Sequence, residues 1–143
     1  MLKSTKLKNT LIACTTILFV SCSGQKEIKM GTYAYDARFL IEHGIEYKEL
    51  VSADGNSKVM LIPAWQGRVM TTSASGDEGD SYGWINYRFI NEGKVSTQFN
   101  PVGGEERFWL GPEGGPFSLY FKEGQEQVYD NWVVPAVLDT EAF

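Results

Sequence analysis

The sequence predicts a mainly β protein, an antiparallel β-sandwich with one short helix near its N-terminal end. Six or seven short apolar segments, separated by glycine-rich turns, predict the strands. One early segment with helical spacing, residues 35–44, predicts the helix. The chain has 143 residues, 43% of them hydrophobic and 13% aromatic, which is enough to bury the core of one domain.

Residues 1–21 have the three parts of a bacterial lipoprotein signal peptide. Lys3, Lys6 and Lys8 form a positively charged start, and the mostly apolar run that follows is too short to span a membrane, which takes about 20 residues. The last three residues of this segment, Phe19-Val20-Ser21, directly precede Cys22, and the four residues together resemble a lipobox. This pattern predicts lipidation of Cys22, which places the protein in the bacterial cell envelope, anchored by lipid, most simply at the outer membrane.

A second lipobox pattern ends at Cys14. It matches the usual residues better, but it leaves too few apolar residues between Lys8 and the cleavage point. Cys22 is therefore preferred. With Cys14 removed and Cys22 lipidated, the mature chain has no thiol for catalysis, metal binding or a disulfide.

The charge balance excludes a nucleic-acid-binding protein. The chain has 13 basic and 18 acidic residues, and the signal peptide holds three of the basic ones. Such an acidic body lacks the concentrated basic face that binds phosphates. Because the chain has a single histidine, His43, and no usable cysteine, we expect no metal site, no histidine-based catalysis and no cofactor.

The first half of the mature chain has clear boundaries. Residues 22–32 predict a polar tether, and residues 33–143 the β-sandwich domain. In the helix, Asp36 is the expected cap and Gly44 the expected end. Strands are predicted at 46–51, 58–62 and 67–72, with a hairpin turn at 53–56 and a polar loop at 73–83. The second of these strands is apolar without alternation, which predicts that both of its faces are covered.

The second half is less regular. Residues 84–92 fit a strand by alternation and a helix by length, so both remain open. Further strands are predicted at 105–110 and 117–122, on either side of a glycine-rich turn. A final strand at 133–138 is interrupted by Pro135, which places it at a sheet edge.

The segment 103–115 carries the strongest indication of binding. On a strand, Glu105, Arg107 and Trp109 share one face, about 6.5–7 Å apart along the strand. A carboxylate, a guanidinium and an indole suit a sugar, whose hydroxyls donate and accept while its C–H faces stack on rings. In the alternative interpretation, Glu105 pairs with Arg107 and Trp109 fills a hydrophobic layer.

Five further residues complete the predicted carbohydrate site. Arg68 begins a strand shortly after Trp65, and Trp84 and Asn86 align with each other if their segment is a strand. Glu106 and Glu113 are available carboxylates, but the sequence does not place them close together as glycosidase chemistry requires. No catalytic residue is therefore assigned.

The segments 67–72, 81–87 and 103–115 together resemble an uncharacterised bacterial lipoprotein family over residues 33–143. That family resembles, loosely, the galactose-mutarotase-like β-supersandwich. The resemblance implies a concave sheet that binds carbohydrate, with Arg68 at a sugar-binding position and Glu106, Arg107, Trp109 and Glu113 as signature residues. Supersandwiches are larger than this chain, so it resembles an N-terminal part that is incomplete at its C-terminus.

The expected function is carbohydrate binding by a membrane-anchored lipoprotein that is not catalytic as the chain stands. Aldose epimerases use histidines and a late carboxylate, whereas no histidine follows His43, so epimerase activity is not carried over to any residue. One alternative is an aldose-epimerase-like enzyme whose catalytic part lies beyond Phe143. Another is a structural lipoprotein of the envelope.

Overall fold

The computed structural model describes residues 27–142. The predicted signal peptide and Cys22 lie outside the described residues. Within that range, no helix is long and apolar enough to cross a membrane. The elements are two α-helices, α1 (Tyr33–Glu42) and α2 (Tyr87–Glu92), five strands, β1 (Lys48–Val51), β2 (Lys58–Ile62), β3 (Arg68–Ser73), β4 (Trp84–Ile85) and β5 (Gly103–Gly104), and three 3₁₀ turns, Pro63–Trp65, Tyr129–Asn131 and Ala136–Leu138.

The predicted helix is present, but its cap differs from the expected one. Helix α1 begins at Tyr33 because the Thr32 side chain accepts a hydrogen bond from the backbone N–H of Tyr35. Asp36, the expected cap, is instead buried and accepts hydrogen bonds from Ser81 and Tyr87. Its carboxylate therefore ties α1 to the loop after β3 and to α2.

Strands β1, β2 and β3 form an antiparallel sheet in that order and confirm the three predicted strands of the first half. The predicted hairpin turn is also confirmed, with Gly55 at a φ of +75°. The prediction that both faces of β2 are covered holds only in part among the described residues. Met60 and Ile62 are fully buried while Val59 and Leu61 are half-buried, since β2 is central in the sheet but has a core on one side only.

Residues 84–92 contain both of the elements that the pattern left open. Strand β4 occupies the first two residues and pairs with β5 in a two-stranded antiparallel sheet. Helix α2 then begins because the Asn86 side chain accepts a hydrogen bond from the N–H of Phe89. The two antiparallel sheets and the few short helices agree with the mainly β class.

The three strands predicted in the second half are absent from the described structure. Residues 105–110 make a single bridge, from Glu106 to Val69 of β3, and no ladder continues beyond it in the described structure. Residues 117–122 consist of turns, and 133–138 ends in a 3₁₀ turn after Pro135. A strand needs a partner for its backbone groups, and alternation of apolar residues alone does not supply one.

Two separate apolar clusters stabilise the described chain. The first lies between α1, the three-stranded sheet and α2, and the second lies within residues 99–138. Buried members of the first cluster are Tyr33, Ala37, Leu40, Met60, Ile62, Met70, Ile85, Ile90 and Val102. Those of the second are Tyr120, Val134 and Leu138, with Phe99, Trp109, Phe121 and Trp132 packed against them.

Candidate functional site

A small cleft of about 160 Å³ brings together four of the residues that the sequence assigned to a carbohydrate site. It lies where the start of β3 meets strand β5 and the segment that follows. Its lining residues are Arg68, Gly103, Gly104, Glu105, Glu106 and Arg107.

Arg68 is the most constrained residue of the cleft, with only 2% of its surface exposed. Its Nη1 donates a hydrogen bond to the carbonyl of Gly103. Its Nε and Nη2 have no hydrogen-bond partner among residues 27–142, and Nη2 lies 4.0 Å from Oδ1 of Asp139. Burial, and then the neighbouring charge of Arg107, lower the pKa of Arg68 to about 10. The guanidinium is therefore a buried donor with unused capacity.

Gly104, the second of two adjacent glycines, leaves the space that the Arg68 side chain occupies. Gly103 and Gly104 have φ angles of +99° and +121°, which side chains rarely adopt. A Cβ at Gly104 would lie 2.6 Å from Cδ of Arg68. The glycine pair thus sets both the turn of the chain and the depth of the cleft.

Two exposed carboxylates stand on the other side of the cleft. Oε1 of Glu105 accepts a hydrogen bond from the Thr72 hydroxyl at 3.0 Å, and Oε1 of Glu106 accepts one from the backbone N–H of Arg107 at 3.1 Å. Each carboxylate keeps further acceptor capacity. No three Asp, Glu, His or Cys side chains cluster as a metal site would require, within the part of the chain that the structure describes.

Arg107 links the cleft to the second apolar cluster. Its Nη2 donates to the carbonyl of Leu138 at 3.2 Å, and its guanidinium lies 4.0 Å from the ring centre of Trp109 and 5.2 Å from that of Phe99. Its Nε is buried without a hydrogen-bond partner in the described structure. Burial lowers the pKa of Arg107. The residue is positioned by aromatic contacts rather than by an acidic partner.

Trp109 and Glu113 lie in the aromatic cluster. Nε1 of Trp109 donates to Oε1 of Glu113 at 2.7 Å, and the Trp109 ring stacks on Tyr120 with 5.2 Å between ring centres. Since 105–110 is not a strand, the expected common face of Glu105, Arg107 and Trp109 is not formed. Trp109 instead packs in a hydrophobic layer, as the alternative interpretation held.

Trp84 and Asn86 have different roles in the structure. Trp84 is 63% exposed and lies directly opposite Gly104 across the two-stranded sheet, which places it beside the cleft. Asn86 caps α2, and its Nδ2 donates to the carbonyl of Pro101. The alignment that a continuous strand would give these two side chains is not formed, because the chain enters α2 at Tyr87.

Comparison with protein families decides what the chain is related to. A family model described as "Family of unknown function (DUF6786)" matches residues 31–143. The chain belongs to this family. Searches of curated proteins and of solved structures found no match.

The structure adds a residue to the site of this DUF6786 member that the sequence did not single out. Oδ2 of Asp139 accepts hydrogen bonds from the backbone N–H and the Nδ2 of Asn100, at 2.9 and 2.8 Å, while Oδ1 has no partner among the described residues. Gln66, buried at a φ of 63°, also has an amide without a partner there. No local pattern marks either residue, because only the folded chain brings position 139 next to β3.

Proposed function

We propose that this protein is a lipid-anchored lipoprotein of the bacterial cell envelope that binds carbohydrate in the cleft at Arg68 and is not catalytic as the chain stands. One observation carries the proposal. A buried guanidinium with two unused nitrogen donors borders a cleft that also presents two carboxylates. Buried polar groups without partners are costly, and a bound polar ligand supplies the partners.

The lining of the cleft suits a polyhydroxylated ligand. Each sugar hydroxyl both donates and accepts a hydrogen bond, and the cleft offers guanidinium donors beside the acceptors of Glu105 and Glu106. The exposed ring of Trp84 next to Gly104 is a surface on which the C–H face of a sugar can stack. Trp109 is less suited to stacking, since Arg107 and Tyr120 already contact its ring.

The proposal includes a finer architecture, a β-sandwich that forms the N-terminal part of a mutarotase-like supersandwich. The outer face of the three-stranded sheet supports it. Leu50 is opposite Val59, and Leu61 is opposite Val69, so four apolar side chains lie on the face turned away from Met60. Leu50 is exposed and the other three are only half-buried. A second sheet packed there would bury them.

Binding is tested by isothermal titration of the full chain in detergent with D-glucose, D-galactose, D-mannose and N-acetylglucosamine. We expect at least one sugar to bind, and Trp84→Ala and Glu105→Gln to weaken that binding about tenfold, which corresponds to about 1.4 kcal/mol. Arg88→Gln is the matched control, because Arg88 is exposed and its ion pair among residues 27–142 is with Glu92 in the same helix. Absence of binding to the whole panel, or unchanged affinity of both variants, would overturn the proposal.

The proposed absence of catalysis is tested by a separate measurement. Polarimetry of the sugar that binds should show no faster mutarotation with the protein than without it. Clear turnover would support the aldose-epimerase-like alternative instead.

The anchor is tested separately with radiolabelled palmitate. We expect Cys22→Ser to abolish labelling and membrane association, while Cys14→Ser keeps both. The reverse result would assign the lipobox to Cys14, and labelling of neither cysteine would remove the lipid anchor from the proposal.

A further inference from the structure

This inference rests on the proposed carbohydrate site and concerns its inner end. The buried side-chain atoms that lack hydrogen-bond partners in the described structure are concentrated in one place. They are Nε2 and Oε1 of Gln66, Nε and Nη2 of Arg68, Nε of Arg107 and Oδ1 of Asp139.

All four residues contact the same turn near the end of the described chain. The backbone N–H of Gln66 donates to the carbonyl of Glu141, and Arg107 donates to that of Leu138. Asp139 itself faces Arg68. Native proteins leave few buried polar atoms unpaired, so a group of them on one turn indicates a place that a polar group from outside completes.

The distance between Arg68 and Asp139 defines which chemical group can satisfy the unpaired atoms of both residues. Nη2 and Oδ1 are 4.0 Å apart, which is too long for a direct hydrogen bond, and neither atom has another partner in the described residues. A hydroxyl oxygen about 2.8–3.0 Å from each atom would accept a hydrogen bond from Nη2 and donate one to Oδ1.

Both sides of this gap are held in place. Asn100 binds the other oxygen of Asp139 through two hydrogen bonds, and the carbonyl of Gly103 binds Nη1 of Arg68.

We propose that Asp139 is a ligand-binding residue and that the Arg68–Asp139 pair binds one hydroxyl of a neutral sugar. Arg68 lines the cleft, and because its Nη2 and Oδ1 of Asp139 are both closed to solvent, the proposal requires the turn that carries Asp139 to move outward when the hydroxyl binds. A sugar carboxylate is disfavoured there, since it accepts but cannot donate to Asp139, and its charge repels the carboxylates of Asp139, Glu105 and Glu106. The site therefore selects neutral sugars against uronates.

The main test compares wild-type protein with Asp139→Asn, using the monodeoxy series of the panel sugar that binds tightest. In the wild type, one deoxy position should lose about tenfold or more in affinity, as for a hydrogen bond to a charged group. In Asp139→Asn the parent sugar should already be weaker by a similar factor, and that deoxy sugar should lose nothing more. Additive losses from the variant and the deoxy position would overturn the proposal.

The matched control is Asp130→Asn, which removes the same charge at an exposed position outside the cleft and should leave affinity unchanged. If Asp139→Asn fails to fold, as judged by circular dichroism, two measurements on wild-type protein decide. Equal losses at every deoxy position would overturn the proposal. So would D-galacturonate or D-glucuronate binding as tightly as the parent neutral sugar.

The outcomes separate the two proposals. If no panel sugar binds the wild type, the proposed function itself fails. If a sugar binds and depends on Trp84 and Glu105 but not on Asp139, only the present inference fails. A crystal structure of the sugar complex in which no sugar hydroxyl lies between Arg68 and Asp139 would also overturn it.

Discussion

The two halves of the described domain are stabilised in different ways. Residues 33–92 contain both α-helices, and α1 packs against a three-stranded sheet around a core that includes Tyr33, Leu40 and Met70. Residues 105–142 contain only 3₁₀ turns, and their core is a group of aromatic rings around Tyr120. The first half satisfies its backbone groups through regular ladders, whereas the second relies on side-chain contacts and turns.

The aromatic half illustrates how far stacked rings can replace regular structure. Tyr120 stacks on Trp109 and on Trp132 with ring centres 5.2 and 5.8 Å apart, and Tyr129 stacks on Trp132 at 6.2 Å. Such pairs contribute about 0.5–1.5 kcal/mol each beyond the area they bury. Phe117, however, is 82% exposed, so the rings of this half are only partly covered.

This comparison predicts that the first half dominates the stability of the domain. The proposed site lies at the junction, with Arg68 supplied by the sheet and Arg107 and Asp139 by the second half. Changes in either half that move these residues apart should therefore affect binding.

The largest expected effect comes from the core of the first half. Leu40→Ala removes a fully buried side chain from α1 and should lower the free energy of unfolding by about 2–5 kcal/mol in urea titrations. Ile41→Ala, one residue further along the helix but exposed, should change it by less than about 0.5 kcal/mol. Equal effects of the two variants would contradict this prediction, because burial in the sheet–helix core would then not determine the loss of stability.

The next effect concerns the junction. Gly104→Ala places a Cβ against Cδ of Arg68 and forces a side chain into a φ of +121°, which should cost about 1–3 kcal/mol. Sugar binding should weaken as well because Arg68 must shift. Gly115→Ala is the matched control, since its φ is +90° but nothing lies within 4 Å of its Cβ. If both variants bind sugar equally weakly, contact with Arg68 is not the cause.

A smaller effect is expected inside the aromatic cluster. Trp109→Phe keeps a ring but loses the hydrogen bond to Glu113. This loss should lower the free energy of unfolding, measured by urea titration, by about 1 kcal/mol. Trp84→Phe should leave stability unchanged, since Trp84 is exposed. A loss as large as that of Leu40→Ala would show that the second half is as important to folding as the first.

The smallest expected effect is absent at neutral pH and appears only in alkaline solution. Burial, together with the hydrogen bond to Glu49, raises the pKa of Tyr33, and burial with the hydrogen bond to Asp36 raises that of Tyr87. Unfolded tyrosines ionise near pH 10, so stability is retained below about pH 10 and falls as the pH rises further. Urea titrations at increasing pH should show a shallower decline for Tyr33→Phe than for the wild type. Parallel declines would contradict the assignment.

The two halves also differ in how well their secondary structure can be predicted from the sequence. The sequence predicts α1 and β1–β3 because their apolar residues have regular spacing. The elements that pack or pair with them also lie in the same stretch of chain. Residues 105–110 and 117–122 have equally good alternation, but apart from the single bridge between Glu106 and Val69, no strand pairs with them in the described structure. Pattern alone cannot distinguish these cases, because backbone pairing depends on residues far away in the sequence.

The candidate site divides in a similar way. Arg68, Glu105, Glu106 and Arg107 were predicted as site residues from residue type and the glycine-rich context, and the structure brings them to one cleft. Trp109, Glu113 and Asn86 were selected on the same grounds, but they make packing and capping contacts instead. Asp139 and Gln66 had no local signal.

The sequence by itself determined the elements of the first half, the glycine-rich turn and the residue types of the site. Each of these depends on neighbouring residues, whose spacing and backbone preferences are local properties. Only the tertiary structure decided that the second half packs through rings, that Arg68 is buried with unused donors, and that Asp139 stands 4.0 Å from it. Those features join positions far apart in the chain, and burial removes the water that would otherwise satisfy their polar atoms.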